Sequence, residues 1–194
     1  MNLINQIKSL LTVLKPLKGI FIFIIILILS HFFWKFNVLG DESGKEVTFW
    51  GIDISFPFIF MTDHITSVIE NVITFLHIPF HRYENNLIWF FTGNSVRIIW
   101  GCTGIKQSFI FFFILLFSQG PWKHKIWFIP LGLFASYVFN LFRISIITIS
   151  MENHPLWFHF LHEYLFKFLY YGFIFGIWLI WEEKFNHKKD IEKA

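Results

Sequence analysis

The feature that most restricts the fold of this chain is a set of four apolar runs bounded by lysines, turns or polar loops. They lie between Lys18 and Lys35, at residues 105–118, from 126 to about 150, and from about 164 to 181. At ~1.5 Å of helix per residue, most of these runs come close to or exceed the ~30 Å hydrocarbon core of a bilayer. The pattern predicts a chain that crosses a membrane several times.

The composition excludes other classes of protein. Of 194 residues, 55% are hydrophobic and 15% are charged, with 29 Phe and 9 Trp. A soluble domain of this length could not keep so many large apolar side chains out of water. Disordered chains and nucleic-acid-binding domains have the opposite balance, and one cysteine cannot form an internal disulfide scaffold. Lipid is therefore the expected solvent.

The lysines predict how the chain is threaded through the bilayer. They precede the first run, occupy the 119–125 turn and recur after residue 183. Because cytoplasmic loops are enriched in basic residues, both termini and this turn are expected in the cytoplasm. The four runs then cross alternately, and residues 49–81 cross either twice or not at all. The predicted fold is an all-α bundle of about four to six transmembrane helices in one integral membrane domain, residues 1–194.

Two elements are predicted between the first and second runs. Apolar residues recur with a helical period in residues 64–77, which indicates an amphipathic helix. Residues 87–91 and 95–100 flank Thr92-Gly93-Asn94, which favours a hairpin on the outer face. This hairpin leads directly into the segment that contains the single cysteine.

Cys102 lies where the hairpin ends and the second apolar run begins. Unpaired N–H groups at a helix N-terminus favour a thiolate, and the flanking Gly101 and Gly104 allow another backbone to come close. Cys102 is therefore a candidate nucleophile. The alternative is a structural cysteine that packs like a small apolar residue.

Arg143 interrupts the third apolar run. An arginine inside an apolar helix usually faces a polar cavity or a partner. It follows Lys125 by ~27 Å of helix, which places it near the outer face at the level of Cys102. Asn140 lies one turn earlier on the same side and is expected to orient Arg143 or to close a polar network. The alternative is an interfacial arginine that extends to lipid phosphates.

Three histidines precede the last run on the same side, and His162 stands at its start. His154 and His159 are alternatives, and each of the three could be an ordinary solvated interfacial residue. Their spacing does not put them on one helical face, which disfavours a zinc site, and no metal or cofactor is predicted. A thiol, a histidine and an arginine at one level are the groups that acyl transfer from a peptide bond needs.

At these residues the chain resembles the exosortase/archaeosortase family of polytopic membrane cysteine transpeptidases. Gly101-Cys102-Thr103-Gly104-Ile105 matches its C-x-G-[IL] block, and Asn140-Leu141-Phe142-Arg143-Ile144 matches its N-x-x-R-[IL] block. His162, followed by Tyr171-Gly172-Phe173, matches its histidine block. The resemblance covers mainly residues 87–182, and the chain is similar to the compact members found in Bacteroidota.

The resemblance implies a catalytic set of Cys102, Arg143 and His162, with His159 as a substitute for His162. It implies cleavage of C-terminal sorting signals, which consist of a short motif, a membrane helix and a basic tail, on secreted proteins. The expected location is the bacterial inner membrane, with the site facing the periplasm. Expected partners are these secreted proteins, the lipid bilayer and a small membrane accessory protein, with no nucleic acid.

Two other functions fit parts of the pattern. A non-enzymatic component of surface polysaccharide or protein export would use Arg143 to bind anionic lipid or close a structural network, with Cys102 as packing. A small transporter would need repeated, broken helices; Pro130 and Gly132 hint at a break, but the sequence contains no repeat.

Overall fold

The computed structural model of the protein describes residues 18–41 and 46–186, so most of the predicted basic termini lie outside the described residues. Of the described residues, 73% are helical, which confirms the predicted fold class. Its helices are α1 (Lys18–Asn37), α2 (Ser55–Phe75), α3 (Ile105–Phe117), α4 (Trp122–Asn153) and α5 (Phe166–Trp181).

The four predicted apolar runs correspond to four apolar helical segments. Lys18–Asn37, Trp122–Asn153 and Pro155–Asn186 are each long and apolar enough to cross a membrane. Ile105–Phe117 is apolar but shorter. The second apolar segment is thus the shortest of the four, with 13 residues. The turn that precedes it contains Cys102.

The large apolar side chains divide between a packed interior and an outward face. Phe23, Phe111, Tyr170 and Trp178 are buried where α1, α3 and α5 meet. Many others point outward, and Phe36 is 70% exposed. Exposed apolar surface on this scale is unfavourable in water and favourable against lipid, as the composition predicts.

The apolar helices alternate in direction, so each end of the bundle collects ends of several helices. At one end, here called the turn end, Gly19 lies against Glu182, and Trp181 donates a hydrogen bond to the Gln119 carbonyl at 2.9 Å. At the opposite end of the bundle, here called the loop end, Nδ1 of His31 in α1 lies 3.3 Å from the hydroxyl oxygen of Tyr171 in α5. This alternation agrees with the predicted up-and-down threading.

Lys125 at the turn end has a structural role that its sequence position did not indicate. Its side chain is buried, and its ammonium group donates to the carbonyls of Leu116 at 2.8 Å and Ser118 at 2.6 Å. These carbonyls lie at the C-terminal end of α3, where the helix itself provides no donors. Lys125 therefore closes the end of α3.

Two small antiparallel sheets cover the loop end. One contains β1 (Val38–Gly40), β2 (Val47–Phe49) and β3 (Ile52–Asp53), and the other contains β4 (Phe80–Tyr83), β5 (Leu87–Phe90) and β6 (Ser95–Arg97). The predicted hairpin is confirmed as β5 and β6, with Trp89 opposite Ser95. The other four strands have two to four residues each, which is too short for a clear alternating pattern.

The amphipathic helix is confirmed as α2, although it begins at Ser55 rather than at residue 64. Ile65, Ile69 and Ile73 form its buried face against Ile88 of β5 and Ile144 of α4. Helix α2 is not among the helices that are long and apolar enough to cross a membrane. That residues 49–81 cross either twice or not at all stays a prediction.

Candidate active site

A cavity of about 420 Å³ opens at the loop end. Its walls come from the end of α1, the 3-10 turn Trp100–Cys102, the start of α3, the middle of α4, and the helical segment that includes α5. Several long helices thus meet at one polar recess. The predicted site residues are distributed around it.

Arg143 lines this cavity and is only 7% exposed. Its Nε atom is buried and has no hydrogen-bond partner, and no carboxylate in the described part of the chain forms an ion pair with it. A buried guanidinium without a counter-ion is costly unless an anion or a developing negative charge reaches it. The position is that of an inward-facing arginine, not of one extended along the surface.

His162 lines the same cavity. It lies on a π-helical turn, Phe160–Leu165, a local widening of the helix that is frequent at functional sites. Its Nδ1 is 3.0 Å from the Glu163 carboxylate, and its ring stacks on Phe158. Because Nδ1 is engaged, Nε2 is the nitrogen left for proton transfer.

The alternative histidines have other surroundings. His159 packs edge-on against the ring of Tyr164, and His154 packs against Trp157. Neither lines the cavity that holds Arg143 and His162. Of these three histidines, His162 is the one that shares the cavity lining with Arg143.

Cys102 ends the 3-10 turn at the wall of this cavity. Its neighbours Gly101 and Thr103 line the cavity, but Cys102 itself is not among the lining residues. The half-buried side chain packs against the apolar cluster that contains Ile65 and Ile144. The thiol therefore lies on the side of the turn that faces the apolar cluster and away from the cavity. It is still close enough to Arg143 for that charge to lower its pKa.

The expectation that the helix N-terminus favours a Cys102 thiolate is wrong for this conformation. Burial raises the pKa of the thiol, and this effect outweighs the lowering by a backbone group of Ile99 and by the charge of Arg143. Helix α3 begins only at Ile105, so the thiol lies outside its first turn. The resting thiol is neutral.

This raised pKa predicts how fast Cys102 reacts with iodoacetamide. Since the thiolate is the reactive form, the rate should rise about tenfold per pH unit and keep rising above pH 8.5. Arg143→Ala removes a charge that lowers the pKa and should slow the reaction further. Mass spectrometry measures this directly because the chain has one cysteine. SDS-unfolded protein gives the reference profile, and a plateau below pH 7.5 in the folded protein would contradict the neutral thiol.

Asn140 and Gly104 fix the cysteine turn on α4. The fully buried Asn140 amide donates to the Cys102 carbonyl at 2.9 Å. Gly104 has a φ of 76°, and a Cβ there would lie 3.0 Å from the Asn140 side chain. Asn140 supports the cysteine turn, whereas its Oδ1 atom has no hydrogen-bond partner among the described residues and so does not orient Arg143. The close approach at Gly104 is thus present. The close approach expected at Gly101 is not, because a Cβ there would meet open space.

The sequence did not single out several residues of the cavity. The buried Tyr170 hydroxyl donates to the Ser136 carbonyl at 3.0 Å and lies next to Gly104. Lys35, Lys106 and Lys167 add positive charge to the lining. Each of these lysines stands near the end of an apolar run, where a lysine ordinarily marks the membrane boundary. These three lysines differ from ordinary boundary lysines only because they line the same cavity.

Comparison with known proteins identifies the family. The family model for the transmembrane exosortase matches residues 9–182, a longer region than the one over which the motifs resemble that family. No curated protein and no solved structure matches the chain. The match includes all three motif blocks, the first two membrane-spanning segments and the last one up to residue 182. The chain therefore belongs to the transmembrane exosortase family.

Proposed function

We propose that the protein is a membrane cysteine transpeptidase that cleaves C-terminal sorting signals of secreted proteins. One observation carries the proposal: Arg143, buried without a counter-ion from the described residues, and His162 line one cavity whose wall includes the turn that ends in Cys102. Family membership supports membrane transpeptidase chemistry. The test is to capture secreted proteins on a Cys102→Ala variant and to determine their C-termini by mass spectrometry, which should find the sorting signal intact.

In this mechanism Cys102 rotates from its apolar contacts into the cavity as substrate enters. Nε2 of His162 takes the thiol proton while sulfur attacks the carbonyl carbon before the membrane anchor. Arg143 stabilises the negative charge that forms on the carbonyl oxygen. The C–N bond then breaks, His162 protonates the leaving amine, and a thioester remains. Water or an amine of a cell-surface molecule attacks the thioester, and the thiol is regenerated.

A neutral resting thiol suits this sequence of steps. Deprotonation by His162 is coupled to attack, so a reactive thiolate does not exist before substrate enters. Glu163, hydrogen-bonded to Nδ1, holds the imidazole with Nε2 free and stabilises the imidazolium that forms. The arrangement of Cys102, His162 and Glu163 thereby parallels a nucleophile, base and orienting carboxylate.

The proposed location is the bacterial inner membrane, with the loop end facing the periplasm and both termini in the cytoplasm. The close contact between Gly19 and Glu182 puts the two ends of the described helical region on one side. A phosphatase that is active only in the periplasm, fused after Ala194, should therefore be inactive. The same phosphatase inserted at Gly93, in the β5–β6 turn, should be active. The reverse pattern would contradict an outward-facing site.

The histidines are predicted to differ sharply in importance. His162→Ala removes the base and should lower processing of secreted substrates by about 10²–10⁴-fold. His154→Ala and His159→Ala are matched controls from the same segment, and both should process at near the normal rate. The measurement is the ratio of unprocessed to processed substrate at equal levels of membrane protein. If His159→Ala is inactive and His162→Ala is active, the base is His159.

A further inference from the structure

The cavity beside the cysteine turn carries a marked excess of positive charge. Lys35, Lys106 and Lys167 line it together with Arg143, and they come from four different helices. His31 adds an imidazole to the same lining. Like charges brought together from separate elements repel each other, so their convergence favours an anionic ligand.

The chain supplies little negative charge to this cavity. Glu163 is the acidic residue of the lining, and its carboxylate is hydrogen-bonded to His162 at 3.0 Å. Within residues 18–41 and 46–186, the ion pairs are His162 with Glu163 and a distant pair on the loop-end surface. Neither pair includes one of the four cations, and Lys35 and Lys167 are exposed, so an anion from solution or from the membrane surface can reach them.

The three lysines stand near the loop-end boundaries of three apolar segments, where lipid phosphates are expected. Lys35 is in the last turn of α1, Lys106 is in the first turn of α3, and Lys167 is in the first turn of α5. Lys35 and Lys106 thereby stand at helix ends on the loop end of the bundle, and Lys167 follows the π-helical turn within the longer apolar segment Pro155–Asn186. The N-terminus of α3 adds a positive dipole end to the same recess.

We propose that this cavity binds a phosphate group between Lys35, Lys106 and Lys167. The group belongs to the headgroup of a membrane amphiphile or to soluble phosphate. A phosphate presents several oxygens to separate ammonium groups, which suits three lysines from three helices better than a single carboxylate does. In the proposed function, on which this role rests, a headgroup phosphate bound there anchors the acceptor whose nucleophile releases the acyl chain from Cys102.

The test is binding to the detergent-purified full chain, followed by native mass spectrometry. The probes are phosphatidylglycerol, an uncharged diacylglycerol with the same acyl chains, inorganic phosphate, and an acidic peptide without phosphate. Phosphatidylglycerol should bind at least tenfold more tightly than diacylglycerol, and added NaCl should weaken it. Replacement of Lys35, Lys106 and Lys167 by Gln should weaken its binding about 100-fold, or roughly fivefold for each lysine alone.

Matched variants separate the cavity from general attraction to headgroups. Lys123→Gln with Lys184→Gln removes exposed lysines at the turn end and should leave binding unchanged. Replacing the three cavity lysines by Arg keeps the charge and should largely retain binding. This Arg variant and the three single Gln variants report on the site if the triple Gln variant does not fold. Binding is also measured on Cys102→Ala, which cannot process substrate, so the outcome does not depend on the proposed function.

The outcomes assign the source of the phosphate or overturn the site. Lysine-dependent binding of phosphatidylglycerol that inorganic phosphate does not displace assigns it to a lipid headgroup. Displacement by inorganic phosphate at equal concentration assigns it to soluble phosphate. The proposal is overturned if diacylglycerol binds equally well, if the turn-end control loses as much binding, or if only the acidic peptide binds.

Discussion

Cys102→Ala should lower the processing of secreted substrates by about 10⁴-fold or more, since removal of the nucleophile leaves only binding and oxyanion stabilisation. The chain has no other cysteine that could replace it. The same variant should accumulate substrates with intact sorting signals at the membrane. The measurement is the C-terminal sequence and amount of each form in cells with equal levels of wild-type and variant protein.

The packing of Cys102 makes a matched control necessary. Its side chain lies against an apolar cluster, and the same cluster contains Ile98, which is 2% exposed. Ile98→Val removes one methylene from that cluster, costs about 1 kcal/mol of stability, and keeps the thiol. It should process at near the normal rate. If Cys102→Ala also processes normally, Cys102 is a packing residue and the protein is a non-enzymatic component of export or assembly.

The sequence predicted the features of this fold that depend on local pattern. Apolar run length identified four apolar helical segments, three of which are long and apolar enough to cross a membrane. A polar tripeptide between two β-prone stretches identified the β5–β6 hairpin. The motif spacing led to the family that the comparison supports. These are properties of consecutive residues, so neighbouring positions in the sequence are enough to recognise them.

The features that the sequence did not predict depend on how the helices are packed. Helical spacing places Cys102 at a helix start but does not show whether its thiol faces the cavity or the apolar cluster. That orientation determines the sign of its pKa shift. Likewise, Lys35, Lys106 and Lys167 are far apart in sequence, and each resembles an ordinary boundary lysine. Their shared cavity follows only from the rotation of α1, α3 and α5.

Arg143→Lys should process substrate far more slowly than the wild type, and Arg143→Ala should be slower still. Loss of one oxyanion donor costs about 10²–10³-fold in rate, or roughly 3–4 kcal/mol. Lysine keeps the charge but loses the planar fork of donors, which includes the buried, unpartnered Nε. The measurement is accumulation of unprocessed substrate at matched levels of membrane-inserted protein.

A structural Arg143 would give a different result. An arginine that only extends to lipid phosphate needs a positive group on a long stem, so lysine would restore function. Its 7% exposure and its place in the cavity wall argue against that role. Arg97→Lys is the matched control, because Arg97 lies on β6 at the same end of the bundle and is exposed; this variant should process normally. Near-normal processing by Arg143→Lys would remove Arg143 from the catalytic set and leave Cys102 and His162 as a dyad.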